Sequence, residues 1–368
     1  DTFIKDFMPN LQINGWSNDW FGGYPLYYFY FPLPAIITFI FNLVFPFGIA
    51  FKIMVVMSTI LVVYSIEKLL RKTSNQISIY GATAGLFYVF TESFTIYGGN
   101  LASTLAGQFS FAYSLAFANL SIFYLIKSEN SFRFSISSIF LAFCLLSHLI
   151  PFIIYSPIYA FYWLSKKQNL NQRILSIFIF LALASRWTIS LLMNLEYTTN
   201  MSYTPFSRVD DLIKKDILPI IFILIGLLIA KHKNLIKNKS LILFDFYIIS
   251  SSILLYFYVP EGALWNGRLV PFFNLGIIFL FFKGVEIFIE DINLYQQGAN
   301  FLTILFFGAT IYCLYIFYEK WSTNQSYLNL YIPIIFLIMI FAILNLNNFA
   351  VQLNTLIVSI IFSTISFL

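Results

Sequence analysis

The sequence predicts an all-α fold, a polytopic transmembrane helical bundle that forms one domain over residues 1–368. Its composition is 60% hydrophobic and only 10% charged, with a mean hydropathy of +0.82, whereas soluble domains carry about 25% charged residues. Apolar runs of membrane-spanning length follow one another, and positive residues concentrate in alternate connections between them. These observations exclude a soluble globular protein and explain the net charge of +5 without a nucleic-acid partner.

The apolar runs predict about ten to twelve helical crossings of a bilayer roughly 30 Å thick. They fall at residues 47–66, 79–97, 104–126, 174–195, 217–230, 241–259, 269–286, 300–318, 329–346 and 354–368. Residues 134–165 are too long for one crossing and are interrupted at Ser147, His148 and Pro151. We therefore predict a tight hairpin of two short crossings there, with His148 capping its bend.

The apolar stretch 33–45 precedes the first crossing and predicts a helix that lies at the membrane interface or re-enters it. The single domain then consists of an outer loop over residues 1–24, this interfacial helix, and a bundle over residues 47–368. The sequence opens at Asp1 without a Met and ends inside an apolar run. We therefore expect it to be a fragment of a longer chain.

Positive residues predict the orientation of the bundle. They cluster in four connections, at Lys68, Arg71 and Lys72; Lys127 and Arg133; Lys166, Lys167 and Arg173; and Lys231, Lys233, Lys237 and Lys239. The positive-inside rule makes these connections cytoplasmic. The loops at 1–24, 92–103, 148, 196–216, 261–268 and 319–327 then face outward. The connections at 127–133 and 166–173 share a side only if residues 134–165 cross twice.

The first outer loop combines aromatic residues with glycines and acids. Trp16, Asp19, Trp20 and Tyr24 surround a Gly22-Gly23 pair. Flat aromatic faces beside carboxylates are typical of a sugar-binding surface. The aromatic run 27–31 also fits a belt at the lipid headgroups, but a belt explains neither the glycine pair nor Asp19.

The second outer loop contains the acid Glu92 and a glycine pair before Asn100. Ser103 or Thr104 either caps the next helix or helps its N-terminus to bind an anion such as phosphate. Gln108 lies about one turn further along and is placed to hydrogen-bond toward the loop.

Two further outer positions are candidates for binding. His148 either closes its turn or binds phosphate or sugar. Arg268 either extends to the lipid headgroups or clamps the phosphate of a lipid-linked substrate, which a guanidinium fits well. Trp265 and Asn266 beside it favour a ligand. The outer polar and aromatic residues together indicate a site for a lipid carrier at the membrane surface.

Other sequence features argue against cofactors. Cys144 and Cys313 are far apart in apolar segments, and the sequence has no nucleotide-binding or zinc motif, so neither a cofactor nor a divalent metal is indicated. Arg186 and Asp245 are charges at membrane depth, and each either forms half of a structural ion pair, with the other or with a further partner, or has a functional role.

Four stretches carry a resemblance to a known family. They are Trp20-Phe-Gly-Gly-Tyr-Pro-Leu-Tyr-Tyr-Phe-Tyr-Phe-Pro-Leu-Pro34, Gly98-Gly-Asn-Leu-Ala-Ser-Thr-Leu-Ala-Gly-Gln-Phe-Ser-Phe111, Leu146-Ser-His-Leu149 and Leu264-Trp-Asn-Gly-Arg-Leu-Val-Pro-Phe272. With these stretches in order over residues 1–290, the chain resembles the polytopic membrane proteins labelled 6-pyruvoyl-tetrahydropterin-synthase-related, which themselves resemble GT-C fold glycosyltransferases.

The resemblance implies a GT-C-like glycosyltransferase in a prokaryotic plasma membrane, with its site facing outward. It implies transfer of a sugar from a polyprenyl-phosphate donor to a cell-envelope glycan or lipid acceptor. In such enzymes an acid of the first outer loop serves as the base, a role that falls on Asp1, with Glu92 as the second candidate. Two positions depart from the family pattern, Lys5 where a His is common and Gln108 where a Glu is common.

The remaining site residues divide into two groups. Arg268 and His148 are expected to offset the charge on the departing phosphate. The expected sugar or acceptor ligands are Trp16, Asp19, Trp20, Tyr24, Asn100, Gln108, Trp265 and Asn266. Two alternatives stay open: a transporter or flippase of lipid-linked sugars, which needs polar groups through the whole bilayer depth, and a non-catalytic scaffold subunit, which the loss of an acid at Gln108 would suit.

Overall fold

A computed structural model describes residues 2–19, 22–71, 78–91, 94–128, 131–199, 205–206, 209–213, 239–260 and 264–291. The predicted crossings at 217–230, 300–318, 329–346 and 354–368 lie outside these residues, as do Asp1, Trp20 and Glu92. The described part is mostly helical and includes one antiparallel hairpin, in which β1 pairs with β2.

The main elements follow one another along the chain. They are β1 (Gly15–Ser17), β2 (Tyr24–Leu26), α1 (Leu33–Asn42), α2 (Phe47–Leu70), α3 (Ile79–Val89), α4 (Leu101–Ser103), a π-helical segment (Thr104–Gln108), α5 (Phe109–Ile126), α6 (Ser131–Ser147), α7 (Leu149–Ser165), α8 (Leu170–Met193), α9 (Val209–Leu212), α10 (Lys239–Tyr258), a 3₁₀ turn (Asn266–Leu269) and α11 (Val270–Asp291). A short π-helical turn (Phe3–Phe7) and two further 3₁₀ turns (Met8–Asn10 and Leu195–Tyr197) complete the described helices.

Four helical stretches within the described residues are long and apolar enough to cross a membrane. They are Phe47–Leu70, Leu101–Ile126, Leu170–Met193 and Asn266–Val285. Shorter apolar helices, among them α6 and α7, accompany them. The predicted all-α membrane class is therefore confirmed at this level.

The predicted hairpin over residues 134–165 consists of α6 and α7. His148 separates the two helices, and its imidazole Nδ1 accepts a hydrogen bond of 3.2 Å from the Ile150 amide. Ser137 and Ser138 hydrogen-bond the Tyr159 hydroxyl at 3.0 and 3.2 Å, which places the two helices side by side and antiparallel. His148 thus caps the bend as predicted.

The helix predicted over 79–97 is shorter than expected, because α3 ends at Val89. The Asn100 side-chain amide donates to the carbonyls of Thr91 and Phe94, at 2.6 and 2.7 Å. These bonds satisfy backbone oxygens that a continued helix would have used, and they hold the chain in a compact loop. The interfacial helix α1 likewise ends at Asn42, before the predicted residue 45.

The basic residues gather at one end of the bundle, which we call the basic end. Lys166 Nζ donates to the Ile126 carbonyl, and Arg133 donates to the Lys127 carbonyl at 3.2 Å. The Lys68 ammonium lies 6.0 Å from the Phe123 ring centroid. The connections after α2, α5 and α7 therefore meet on one side, as the predicted double crossing of residues 134–165 requires.

The buried interior contains polar contacts between helices. Asn119 on α5 donates to the Ser65 hydroxyl at 3.1 Å and accepts from the Tyr155 hydroxyl at 2.6 Å. Asp245 on α10 pairs with Lys283 on α11. Lys283 is a charge that the sequence analysis did not single out, and it, not Arg186, is the partner of Asp245. These contacts hold together helices whose other ends lie opposite the basic end.

Candidate functional site at the aromatic end

The end opposite the basic residues carries Tyr97, His148, Phe206 and Trp265, and we call it the aromatic end. Arg268 lies here on the 3₁₀ turn before α11, and it is half-buried. One of its terminal nitrogens donates to Gln108 Oε1 at 2.6 Å and to the Tyr97 carbonyl at 3.2 Å. The segment 97–108 therefore holds in place a guanidinium that comes from a part of the chain 160 residues away from Gln108.

The helix that carries Gln108 is interrupted at this point. Thr104–Gln108 is a π-helical segment, and Gly107 within it has φ +97°, a left-handed conformation that glycine adopts without strain. Regular α5 begins only at Phe109. Such π-type interruptions occur frequently at functional sites. The interruption sets the position of Gln108 beside Arg268.

Three aromatic rings form a cluster next to Arg268. The centroid of Tyr97 lies 5.0 Å from that of Trp265 and 5.9 Å from that of Phe206, and Phe206 lies 5.6 Å from Trp265. Burial raises the pKa of the Tyr97 hydroxyl, and the nearby Asp211 carboxylate raises it further. Asp211 is therefore an acid close to the cluster.

Asn266 holds the loop that supplies Phe206. Its side-chain oxygen accepts from the Phe206 amide at 2.9 Å, and its side-chain nitrogen donates to the carbonyls of Phe206 and Tyr256, at 2.7 and 3.0 Å. The residue is buried. Its amide satisfies backbone groups in this structure, and its binding to sugar stays a prediction.

Asn100 also contacts the backbone. Its side chain caps α4 by accepting from the Ser103 amide at 3.0 Å, in addition to its bonds to Thr91 and Phe94. It is fully buried. Asn100 therefore shapes the loop that presents Tyr97, and its binding to sugar stays a prediction.

His148 is enclosed by aromatic rings. Phe31 stacks on its ring at a centroid distance of 4.7 Å, and Phe111 approaches it edge-on at 5.2 Å. Because Nδ1 accepts from the Ile150 amide, the neutral ring carries its proton on Nε2, which is then a donor. His148 therefore closes its turn. Arg268 lies near enough to interact electrostatically with the imidazole ring.

The first outer loop forms the β1–β2 hairpin. Trp16 is 60% exposed, and its indole packs directly over Gly23, where φ is +100° and any side chain would collide with the ring. Asp19 accepts a hydrogen bond from the Thr2 hydroxyl. The pKa of the Tyr24 hydroxyl is raised, mainly by its partial burial and to a smaller degree by the neighbouring Tyr30.

The first outer loop is anchored to α8. Asn14 donates to the Ser190 hydroxyl at 2.6 Å, and the Trp187 indole donates to the carbonyls of Tyr27 and Tyr30, at 3.1 and 3.0 Å. Phe31 then links this loop to His148. The structure thus brings Arg268, Gln108, Trp265 and His148 into one region. The loop that is linked to His148 through Phe31 carries the other predicted site residues, Trp16, Asp19 and Tyr24.

Sequence analysis missed the contributions of Phe206 and Asp211. Both lie in the loop 196–216, which was predicted to face outward but had no motif. Phe206 is positioned by its hydrogen bonds to the Asn266 side chain, and Asp211 by the packing of α9 against the 3₁₀ turn Asn266–Leu269. Within the described residues, no three His, Cys, Asp or Glu side chains come together to hold a metal ion.

Fold and site define a helical membrane protein whose loops enclose an arginine and an aromatic cluster at one end of the bundle. No family model, curated protein or solved structure matches the chain.

Proposed function

We propose that the protein is a GT-C-like membrane glycosyltransferase of a prokaryotic plasma membrane. It transfers a sugar from a polyprenyl-phosphate donor to a cell-envelope glycan or lipid acceptor, and the aromatic end faces outward. The observation that carries this proposal is the position of Arg268, whose charged side chain is oriented by Gln108 and the Tyr97 carbonyl.

Arg268 suits a phosphate because a guanidinium presents several N–H donors in a planar fork that matches phosphate oxygens. The Gln108 side-chain oxygen and the Tyr97 carbonyl fix the direction of one of its terminal nitrogens. A guanidinium fixed in advance stabilises negative charge without reorganising during the reaction.

The surroundings of Arg268 suit a sugar. Tyr97 and Trp265 supply aromatic faces next to the guanidinium, at 5.0 Å from each other, and such faces stack against the C–H groups of a sugar ring. The His148 Nε2 proton supplies a donor for the leaving phosphate. Asp1, or Glu92 in its place, takes the acceptor proton.

The experiment uses membranes that contain the protein and a radiolabelled polyprenyl-phosphate sugar, with donor binding and product measured separately. Arg268→Ala is expected to weaken donor binding and turnover together, by about tenfold or more, because a hydrogen bond to a charged group contributes about 1.5–3 kcal/mol. Arg186→Ala is the matched control, since Arg186 is an exposed arginine on α8.

The base is tested in the same assay. Asp1→Asn is expected to lower turnover by roughly 10²–10⁴-fold while donor binding stays nearly intact, because the amide cannot accept the acceptor proton. Full activity in Asp1→Asn would direct attention to Asp6, Asp19 or Glu92. If the unmutated protein formed no product with any donor, the proposed glycosyltransferase activity would be contradicted.

One observation favours a transporter of lipid-linked sugars as a second candidate. The Asp245–Lys283 pair places charges within the bundle, between α10 and α11, and intramembrane charges often mark transport pathways. Flipping of a fluorescent lipid-linked sugar in proteoliposomes, lost in Asp245→Asn, would support this candidate over glycosyl transfer.

A further inference from the structure

Two buried carboxylates of the bundle are paired with cations, but their oxygens are not equally satisfied. Glu67 accepts hydrogen bonds at both oxygens, because Arg71 donates to each of them, at 2.8 and 2.7 Å, and the Ser78 amide adds a third bond at 2.9 Å. Asp245 is fully buried, and Lys283 donates to its Oδ2. Its Oδ1 accepts no hydrogen bond within the part of the chain that the structure describes. The charge of Asp245 is therefore satisfied at one oxygen.

The helices around Asp245 surround it with few charges. α10 packs against α7 and α11. Within the described residues, the titratable groups that face Asp245 from these two helices are Tyr155 and Tyr162 on α7 and Lys283 on α11. The 3₁₀ turn that carries Arg268 packs against the other end of α10. Lys283 is therefore the charged neighbour of Asp245 among the described residues, and its other titratable neighbours are phenols.

A carboxylate in this position is costly to keep charged. Moving a charge from water into the bundle costs free energy, and an ion pair repays this cost only if the remaining lone pairs are also hydrogen-bonded. Glu67 meets this condition, whereas Asp245 does not meet it within the described residues. One proton would remove the charge of Asp245 and turn its unbonded oxygen into an O–H group. Oδ1 is therefore the atom at which a proton is expected to bind.

Lys283 can lose its countercharge more easily than Asp245 can. Its side chain is 12% exposed, whereas that of Asp245 is 0% exposed. The Lys283 ammonium also lies 5.8 Å from the Phe279 ring centroid, and aromatic faces attract cations. A lysine near the surface of a bundle extends its flexible stem to place the ammonium in water or among headgroups. The cation of the pair can therefore stay charged while the acid becomes neutral.

We propose that Asp245 is a proton-binding site within the bundle, and that its ion pair with Lys283 opens when the proton binds. A proton from water bonds to Oδ1, the carboxylate becomes a neutral acid, and the Lys283 ammonium keeps its own proton. The pair joins α10 to α11, and the 3₁₀ turn that carries Arg268 lies between these helices at their other end. Proton binding therefore loosens one contact between the two helices that position this turn.

Infrared difference spectroscopy of the full chain in lipid vesicles tests the site directly. A protonated carboxyl group in apolar surroundings has its C=O stretch at a higher frequency than an acid in water. We expect such a band to appear as the pH is lowered from neutral while the protein stays folded, and to be lost in Asp245→Asn. Asp6→Asn, which removes an exposed carboxyl group, is the matched control and should leave the band unchanged. Persistence of the band in Asp245→Asn, or its absence at every pH at which the unmutated protein stays folded, would overturn the proposal.

Lys283→Met gives a second measurement that keeps the acid. Methionine retains an unbranched side chain and removes the positive charge. A nearby opposite charge lowers the proton affinity of a carboxylate by about ten- to a thousandfold. We therefore expect the band to appear in Lys283→Met at a proton concentration at least about tenfold lower than in the unmutated protein. If the band appeared at the same proton concentration in both, Lys283 would not compete with the proton, and the proposed opening of the pair would be wrong.

The proton site and the glycosyltransferase fail in different ways, because the infrared band does not depend on sugar transfer. A band that is lost in Asp245→Asn, in a protein that transfers no sugar, would support the proton site and remove the glycosyltransferase. Transfer that depends on Arg268, in a protein without the band, would support the glycosyltransferase and remove the proton site.

Discussion

Two arginines at opposite ends of the bundle have different partners. At the basic end, Arg71 forms two parallel bonds to the Glu67 carboxylate, at 2.8 and 2.7 Å, and both residues are buried. At the aromatic end, Arg268 is held by an amide oxygen and a backbone carbonyl. The first contact pairs opposite charges four residues apart, whereas the second joins positions 160 residues apart through a neutral amide oxygen.

Other contacts at the two ends differ as well. At the basic end, Arg173 donates to the carbonyls of Leu164 and Lys166, at 3.2 and 2.7 Å. These carbonyls belong to the C-terminus of α7, where cations are stabilised by the helix dipole and by unpaired oxygens. At the aromatic end, aromatic rings and a capped loop lie close to Arg268. The comparison predicts that breaking the buried Arg71–Glu67 pair changes stability, and that changing Arg268 or Gln108 changes binding.

The largest expected effect on stability is that of Glu67→Gln. The substitution leaves the buried Arg71 guanidinium without its countercharge, and breaking a buried ion pair in this way costs about 3–5 kcal/mol. We expect a large fall in the thermal unfolding temperature of the purified protein, followed by intrinsic fluorescence in detergent. Arg268→Ala serves as the comparison and should change the unfolding temperature little. A similar fall in both variants would contradict the division between the two ends.

The next effect is that of Asn266→Ala. It leaves the Phe206 amide and the carbonyls of Phe206 and Tyr256 without their side-chain partner. An unsatisfied buried polar group costs about 1–3 kcal/mol. Only the bond to the Tyr256 carbonyl is fully buried, and the two bonds to Phe206 are partly buried, so we expect a smaller fall in unfolding temperature than in Glu67→Gln. Limited proteolysis should cut the loop 196–216 faster in this variant. If Asn266→Ala weakened donor binding without any change in stability or proteolysis, Asn266 would be a ligand after all.

Much of the bundle could be predicted because its determinants are local. Apolar length and the positions of lysine and arginine are enough to predict the α6–α7 hairpin and the shared side of its two flanking connections. The end of α3 depended instead on Asn100 reaching back to Thr91 and Phe94. Apolar residues continue past Val89, so periodicity alone extended the helix too far.

The site was predictable only in part, because its residues come from distant loops. Arg268 and Gln108 were both candidates, but their contact joins positions 160 residues apart. The backbone bonds of Asn100 and Asn266 could not be predicted, since a polar side chain in a loop has the same sequence signature whether it binds a ligand or the backbone. Lys283 was overlooked because one charge within an apolar run does not reveal its partner.

A smaller and more specific effect is expected from Gln108→Glu, which changes the electrostatics of Arg268 with almost no change in shape. The new carboxylate would lie where the amide oxygen now lies, 2.6 Å from the guanidinium nitrogen. It would form an ion pair similar to that of Arg71 and Glu67, and the donor phosphate would have to compete with it. We expect the dissociation constant of the polyprenyl-phosphate sugar to rise about tenfold, and less at high salt, which screens the new pair.

Gln108→Leu sharpens the test because it removes the orienting bond and leaves the charge. Its effect should be smaller, about 0.5–1.5 kcal/mol in donor binding, since only a neutral hydrogen-bond partner is lost. Binding measured for the two variants and the unmodified protein should therefore rank glutamine first, leucine second and glutamate last. The resemblance described for the sequence implies that glutamate is common at this position. If Gln108→Glu instead increased transfer, the acid would be the functional residue, and glutamine at this position would mark a weakened or non-catalytic member, with Arg268 serving the acid and not the phosphate.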